Sequence, residues 1–456
     1  MLAKISPAGH HLSVLDRQVL ALAVPALGAL VAEPTFVLVD SAMVGHLGTA
    51  ALAGLALAST VLTTVVGLCV FLAYATTAAV SRRLGAGDAA GALRVGVDGL
   101  ALAAGLGAGL AVAAWVTAPA LVTALGGHGE VARQAVAYLR ASAPGLPGML
   151  VVLAATGALR GLLDTRTPLL VAGVGAAANV ALNYALIYGA GLGIAGSGLG
   201  TALAQLGMAG ALVAVVVRAA RARGAPLRPA WAGIGANARA GVPLLVRTAT
   251  LRGAIVLTVA VAAGLGPAAL AGHQVVAAVW GLTAFALDAL AIAAQAMVGH
   301  ALGAADVPRA RAVLRRTLRW GVGTAAVLAV VVAALAPWYV RAFSSEDDVR
   351  RAAVLGLLVV AAGLPMAGVV FVLDGVLIGA GDGPFLAWAG VVTLVAYVPV
   401  ALAVHAWAPA GPGGLAWLWV AFAGVFMAAR ATTTGVRARG TGWARTAAGA
   451  DGAPAS

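Results

Sequence analysis

Gly48-Thr49-Ala50-Ala51-Leu52-Ala53-Gly54 returns 218 residues later as Gly266-Pro267-Ala268-Ala269-Leu270-Ala271-Gly272. The same spacing of 218 joins Pro25 to Pro243, Leu84-Gly85-Ala86 and Asp88 to Leu302-Gly303-Ala304 and Asp306, and Pro147 to Pro365. It also joins Gly161 and Asp164 to Gly379 and Asp382. One constant offset across scattered matches means two copies of a single unit in tandem. The copies share punctuation but not polar residues: Asp40 of the first falls opposite Thr258 of the second.

What kind of unit repeats follows from composition. The 456 residues are 62% hydrophobic and 9% charged, with a mean hydropathy of +1.01. Twelve apolar runs, from 17–44 to 413–430, are each long enough to cross roughly 30 Å of hydrocarbon. The expected fold is therefore an all-α polytopic membrane protein of twelve transmembrane helices in two six-helix lobes, 15–219 and 238–430. A basic cytoplasmic linker, 220–237, joins the lobes, and a flexible cytoplasmic tail is expected over 431–456. Six crossings return the chain to its starting side, so both copies insert the same way up. They should be related by a pseudo-two-fold axis along the membrane normal, a parallel internal repeat. Abundant Gly and Ala suit helices that pack closely in lipid.

Most of the 28 basic residues fall on connections that share a side with the N-terminus. The positive-inside rule then predicts a multi-pass cell-membrane protein with both termini in the cytoplasm. The same distribution makes nucleic-acid binding a poor explanation for the +13 net charge. The first 16 residues carry no signal-peptide core with a cleavage site, so the first run is expected to be an uncleaved anchor. The single cysteine, Cys69, excludes an intrachain disulfide and a Cys-based metal site. His46, His273 and His300 have no second histidine at ligand spacing, so neither metal nor cofactor is expected. Gly191-Leu192-Gly193-Ile194-Ala195-Gly196 spells GxGxxG but follows a membrane run, without the strand a dinucleotide site requires.

Ionisable groups at membrane depth are costly and therefore functional candidates. The first run carries Glu33 and Asp40, seven residues apart on one helical face and roughly 10 Å along the axis. Pro25 and Pro34 each remove a backbone hydrogen bond, so this helix bends at little cost. Because burial disfavours a charged carboxyl group, protonation can couple to such a bend; the alternative is a static acid satisfied by neighbours. Donors stand in the same copy: Asn179 and Asn183 one turn apart on the fifth run, Thr201 and Gln205 likewise on the sixth. Interhelical hydrogen bonding is the plainer role for these four. Tyr138 either faces a cavity or belongs to an interfacial aromatic belt. In the second copy Arg247, Arg252, Asp288 and Asp374 form a candidate charge network, most simply neutralising one another, with Asp374 the alternative cation or proton site.

Glu33-Pro34 through Asp40, with Val44-Gly45-His46-Leu47-Gly48-Thr49, resembles the multidrug and toxic compound extrusion (MATE) transporters, DinF-like branch. So do Leu84-Gly85-Ala86-Gly87-Asp88, Arg160-Gly161 through Asp164-Thr165, Ala271-Gly272-His273-Gln274, and Asp374-Gly375 through Gly381-Asp382. The resemblance spans about 15–430. It implies a V-shaped, two-lobe carrier, expected to act as a monomer, exporting cationic or amphipathic organic compounds against a proton or sodium gradient. It further implies that the acid at Asp40 is essential, that its protonation is linked to bending at Pro25, and that Asn179, Asn183 and Thr201 surround it. Some relatives carry an acid where Asn183 stands, and sodium-coupled relatives carry one where the seventh run offers arginine; both departures favour protons. The expectation is a proton-coupled antiporter in which Asp40 and Glu33 take the coupling ion, with sodium coupling or a lipid-linked precursor flippase as alternatives. A flippase would want a basic cavity, for which Arg247 and Arg252 are the support. An intramembrane transferase would need an Asp-rich metal motif or a His/Asp pair that the sequence lacks, so no enzyme activity is expected.

Overall fold

The structure, a computed structural model, describes residues 13–446, apart from the side chain of Glu33. Twelve long apolar helices follow in chain order: α1 Val14–Gly45, α2 Thr49–Gly85, α3 Ala89–Ala124, α4 Gly129–Gly161, α5 Arg166–Gly189, α6 Gly193–Ala222, α7 Trp231–Gly264, α8 Pro267–Gly303, α9 Val307–Arg341, α10 Asp347–Gly379, α11 Gly383–Trp407 and α12 Pro412–Arg439. The repeat is visible at the helix ends. The bounds of α2 and α8 differ by 218 at both ends, as do those of α4 and α10. Asp88 and Asp306 cap α3 and α9 in the same way, accepting from the backbone N–H groups of Gly91 (2.7 Å) and Arg309 (2.9 Å). Gly48 and Gly266, which precede α2 and α8, have φ of +120° and +107°, a region only glycine enters freely.

Both prolines of α1 lie inside a continuous helix. Pro25 leaves the carbonyl of Ala21 without its helical donor, and Thr165 Oγ1 at the start of α5 approaches that oxygen at 3.5 Å. Other helices depart locally from α geometry. A 3₁₀ turn, Ala143–Gly145, interrupts α4, and π turns occur at Ala185–Gly189 in α5 and Val420–Phe426 in α12. Single π turns mark places where a helix re-aims its side chains.

The lobes share one apolar core only at the end that carries the chain termini. There Val19, Leu22, Phe71, Ala75 and Leu150 of the first lobe pack with Leu290, Met297, Leu302, Val372 and Leu377 of the second. At the opposite end the core divides: Val44, Leu55, Leu62 and Leu146 belong to one cluster, Leu265, Val276, Leu357 and Trp419 to another. Two lobes joined at one end and parted at the other enclose a V-shaped cleft that opens away from the termini.

Polar contacts secure the joined end. Asp16 of α1 is buried and accepts from the Arg316 guanidinium and from Trp320 Nε1 (2.8 Å), both on α9. Gln295 Nε2 of α8 donates to the carbonyl of Tyr74 in α2 at 2.9 Å. The axis of the repeat runs through a pair of glycines. A Cβ at Gly85 would strike the carbonyl of His300, and a Cβ at Gly303 would strike that of Arg82. Arg82 and His300 are themselves 218 apart, so α2 and α8 meet at a symmetric point that admits no side chain. Gly85→Val should therefore cost about 1–3 kcal/mol of overpacking and lower the melting temperature of the purified protein. Gly105→Val is the control, because a Cβ there meets nothing within 4 Å. Equal melting temperatures for the two variants would contradict this close approach.

The sequence reading of 431–456 as a flexible tail needs correction. The last helix continues through Arg439, and Trp443 is 1% exposed within the core shared by both lobes. Arg437 Nε donates to Asp382 at 2.6 Å, and Arg82 Nη2 to the carbonyl of Arg445 at 3.0 Å. The sequence is polar there because it lies beyond the apolar layer, yet its indole and guanidinium groups find partners. Residues 447–456, and Lys4 among the first twelve, lie outside the described residues.

Candidate functional site

Asp40 sits in the distal half of α1, 7% exposed, at the wall of the cleft within the first lobe. Three neighbouring helices aim donors at it. Tyr138 of α4 donates its hydroxyl to Oδ2 at 3.2 Å, Asn183 of α5 donates Nδ2 to Oδ1 at 3.0 Å, and Ser197 of α6 donates its hydroxyl to Oδ1. Behind this shell, Asn183 Nδ2 lies 3.4 Å from Asn179 Oδ1, and Asn179 Nδ2 lies 3.4 Å from Thr201 Oγ1. All hydrogen-bond partners of Asp40 among the described residues are neutral. One acceptor is left over: Asn183 Oδ1 is buried and bonds to nothing among the described residues. The amide has room only because Gly200 lacks a Cβ, which would otherwise strike that oxygen.

Five polar residues singled out in the first lobe, Asp40, Tyr138, Asn179, Asn183 and Thr201, thus converge on one site. Gln205 lines the cleft beside it. Ser197 was missed: it stands one helical turn before Thr201, but a lone serine in a glycine-rich turn carries little signal. The side chain of Glu33 lies outside the described residues.

The repeat supplies an internal control. At +218, Asp40, Asn179, Asn183, Ser197 and Thr201 become Thr258, Tyr397, Ala401, Leu415 and Trp419. In the second lobe Thr258 Oγ1 and Tyr397 OH are 2.6 Å apart and surrounded by the rings of Trp419, Phe422 and Phe426. A nest of donors around a carboxyl group has been exchanged for an aromatic core.

The second lobe's charges are organised differently from the sequence expectation. Asp374 of α10 accepts from Arg247 Nη2 at 2.6 Å and from the Arg430 guanidinium of α12, all three well buried. Arg247 also lies over the Tyr74 ring, 5.8 Å from its centroid. Arg252 takes no part: it is exposed and its guanidinium lies near Gly67 of α2. Arg252 follows Arg247 by five positions, about 140° around the helix, so the two point to different faces. Arg430 takes the place assigned to Arg252. It stands where an apolar run ends, which made it read as a loop cation. Asp288 does not bond into the triad: it makes no ion pair or hydrogen bond among the described residues, and it lines both the cleft and a small gap beside Arg247, Asp374 and Tyr74.

The cleft holds about 1530 Å³ of atom-free space, its open mouth included. Asp40, Tyr138, Asn179, Thr201 and Gln205 line its first-lobe wall, with Phe36, Met149 and Met208 giving it an apolar lining. Arg160 and Tyr74 of the first lobe and Asp288 of the second line it nearer the joined end.

The duplicated six-helix unit is the layout that comparison with known proteins matches. The sequence profile of the MatE family covers residues 25–185 and 243–403, two segments offset by the same 218 as the repeat. The chain belongs to the MatE family. It is a multi-pass membrane transporter of that family, and its relatives agree along most of its length. It is 32% identical over 393 residues to Protein DETOXIFICATION 44, chloroplastic, of Arabidopsis thaliana, covering 83% of this chain and 74% of that protein. It is 29% identical to the DNA damage-inducible protein F of Escherichia coli K12, covering 80% of this chain and 81% of that protein. Among solved structures, a Vibrio cholerae MATE transporter in its bent form superposes with a TM-score of 0.84 over 95% of this chain and 99% of that one, at 21% identity. That likeness carries the MatE fold alone.

Proposed function

We propose that this chain is a proton-coupled antiporter that exports organic cations or amphipathic toxic compounds, with Asp40 as the group that exchanges a proton for substrate. The observation that carries this reading is the uncharged shell around Asp40. A carboxylate held by Tyr138, Asn183 and Ser197 has no fixed cation to keep it ionised, so it can take a proton without breaking a salt bridge. The shell can serve both states. Hydroxyls rotate from donor to acceptor, and a turned Asn183 amide would present its unpaired Oδ1 to a newly protonated carboxyl. Proton entry from the open mouth, placed outside by the positive-inside rule, then weakens the hold on a cationic substrate in the same cleft. The prolines of α1 offer the compliant segment through which the change reaches the joined end.

Sodium is the poorer coupling ion for this site. Tyr138, Asn183 and Ser197 bring only neutral groups to Asp40, and no second carboxylate among the described residues adds the charge that would hold a sodium ion against a proton. The flippase reading drew on Arg247 and Arg252; Arg247 is engaged by Asp374 and Arg252 stands apart from it, so that reading is not carried further. The test uses everted membrane vesicles and ethidium uptake, comparing an imposed pH gradient with an imposed sodium gradient at clamped pH. Uptake driven by the pH gradient alone is expected. Uptake driven only by sodium would overturn proton coupling.

A further inference from the structure

Arg160 and Asp288 are the two charged groups of the cleft that the coupling scheme leaves unused. Arg160 comes from α4 in the first lobe and Asp288 from α8 in the second, and both line the cavity, whose other lining residues belong to the first lobe. They line the same cavity but do not meet: no N–O distance of 4.0 Å or less joins them. Neither makes a hydrogen bond among the described residues, although Arg160 is only 8% exposed. The contrast with the other buried charges is sharp, since Asp16 is held by Arg316, Asp374 by two arginines and Asp382 by Arg437. Arginine does not shed its proton in proteins, and an unpaired charge at membrane depth is costly. Two opposite charges that line one cavity without pairing are arranged for something that enters between them.

We propose that Arg160 and Asp288 form a dipolar clamp for a zwitterionic head group, with the ligand's carboxylate on the Arg160 guanidinium and its ammonium on the Asp288 carboxylate. The apolar part of the ligand then lies along Phe36, Met149 and Met208, towards Asp40. Among the amphipathic compounds of the proposed function, the favoured class is an amphoteric amphiphile carrying both charges on one end. Because the clamp takes one jaw from each lobe, a ligand held by both favours the lobe arrangement in which they face each other. Rocking of the lobes would separate the jaws and release it. The proposal rests on the cleft being the substrate site, and it does not depend on the coupling ion.

The test is equilibrium binding to the purified full-length chain in detergent, with no gradient. The probes are Nε-dansyl-lysine, a fluorescent zwitterion, and its methyl ester, which keeps the ammonium and loses the carboxylate. The wild type should bind the zwitterion at least about tenfold more tightly than the ester, the worth of one charge-assisted contact. Arg160→Gln should bring that ratio to about one, and Asp288→Asn should weaken both probes. Arg160→Lys, which keeps the charge, should retain the preference and decides the matter if Arg160→Gln does not fold. A wild-type ratio near one, as expected if water alone bridges the two side chains, would overturn the clamp. So would a preference that survives Arg160→Gln, or one that is lost in Arg160→Lys. Such failures would leave proton coupling standing, and failure of pH-driven uptake would leave the binding ratio readable.

Discussion

Asp40→Asn should abolish pH-driven export while leaving the protein folded and inserted. The amide has the shape of the carboxyl group and stays neutral, so it imitates the protonated state and cannot leave it. An antiporter so fixed loses one half of its cycle, and a loss of at least about a hundredfold in driven efflux follows, because general proton-transfer roles are worth that much or more. The cost to stability is smaller. The new NH₂ group confronts donors that served a carboxylate, an unmet pairing of about 1–3 kcal/mol. Rotation of the Ser197 and Tyr138 hydroxyls and of the Asn183 amide, whose Oδ1 is free to accept, reduces it. Everted-vesicle ethidium transport reads the activity, and size-exclusion elution with a melting temperature reads the fold. Full retention of pH-driven efflux by a well-folded Asp40→Asn would remove Asp40 from the mechanism.

Asp374→Asn should have the opposite profile, a large loss of stability. Asp374 holds two guanidinium groups at 12% and 9% side-chain exposure, converging on one carboxylate oxygen. Without that charge, Arg247 and Arg430 face each other across a low-dielectric gap with no counterion between them. Breaking a buried pair by removing one partner costs about 3–5 kcal/mol, because the remaining charge stays buried. Poor folded yield and a melting temperature several degrees lower are expected. Replacing all three, Arg247→Met with Asp374→Leu and Arg430→Met, should recover much of the loss, since a well-packed apolar set of similar volume often matches a buried ion cluster. If Asp374→Asn melts with the wild type, the triad carries no such load and Asp374 would have to be reconsidered as a cation site.

The polar residues of the first lobe were legible because helical spacing and membrane depth select them together. Asn179 and Asn183, and Thr201 four residues after the overlooked Ser197, recur on helix faces in otherwise apolar runs. Any such group must find a partner, and the acid at Asp40 was the evident one. The second lobe was less legible for a related reason. Which arginine reaches Asp374 depends on helix rotation and on how far α12 penetrates, and neither is encoded in spacing. Arg252 lies as close to Arg247 in sequence as a partner might, yet on another face. Arg430 lies 56 residues from Asp374 and makes the pair.

The sequence by itself determined the duplication, the twelve crossings, the family and the lobe in which a protonatable acid stands. These are local or periodic properties, set by the cost of burying polar backbone and charge in lipid and by turn residues repeated at 218. Only the tertiary structure decided that the lobes join at the end bearing the termini and part at the other. It alone brought Arg160 and Asp288 to the lining of one cavity and gave Asp374 two arginines. Those relations hold between helices far apart in the chain, and they depend on rotation and close approach, as at Gly85 and Gly303, where no side chain fits.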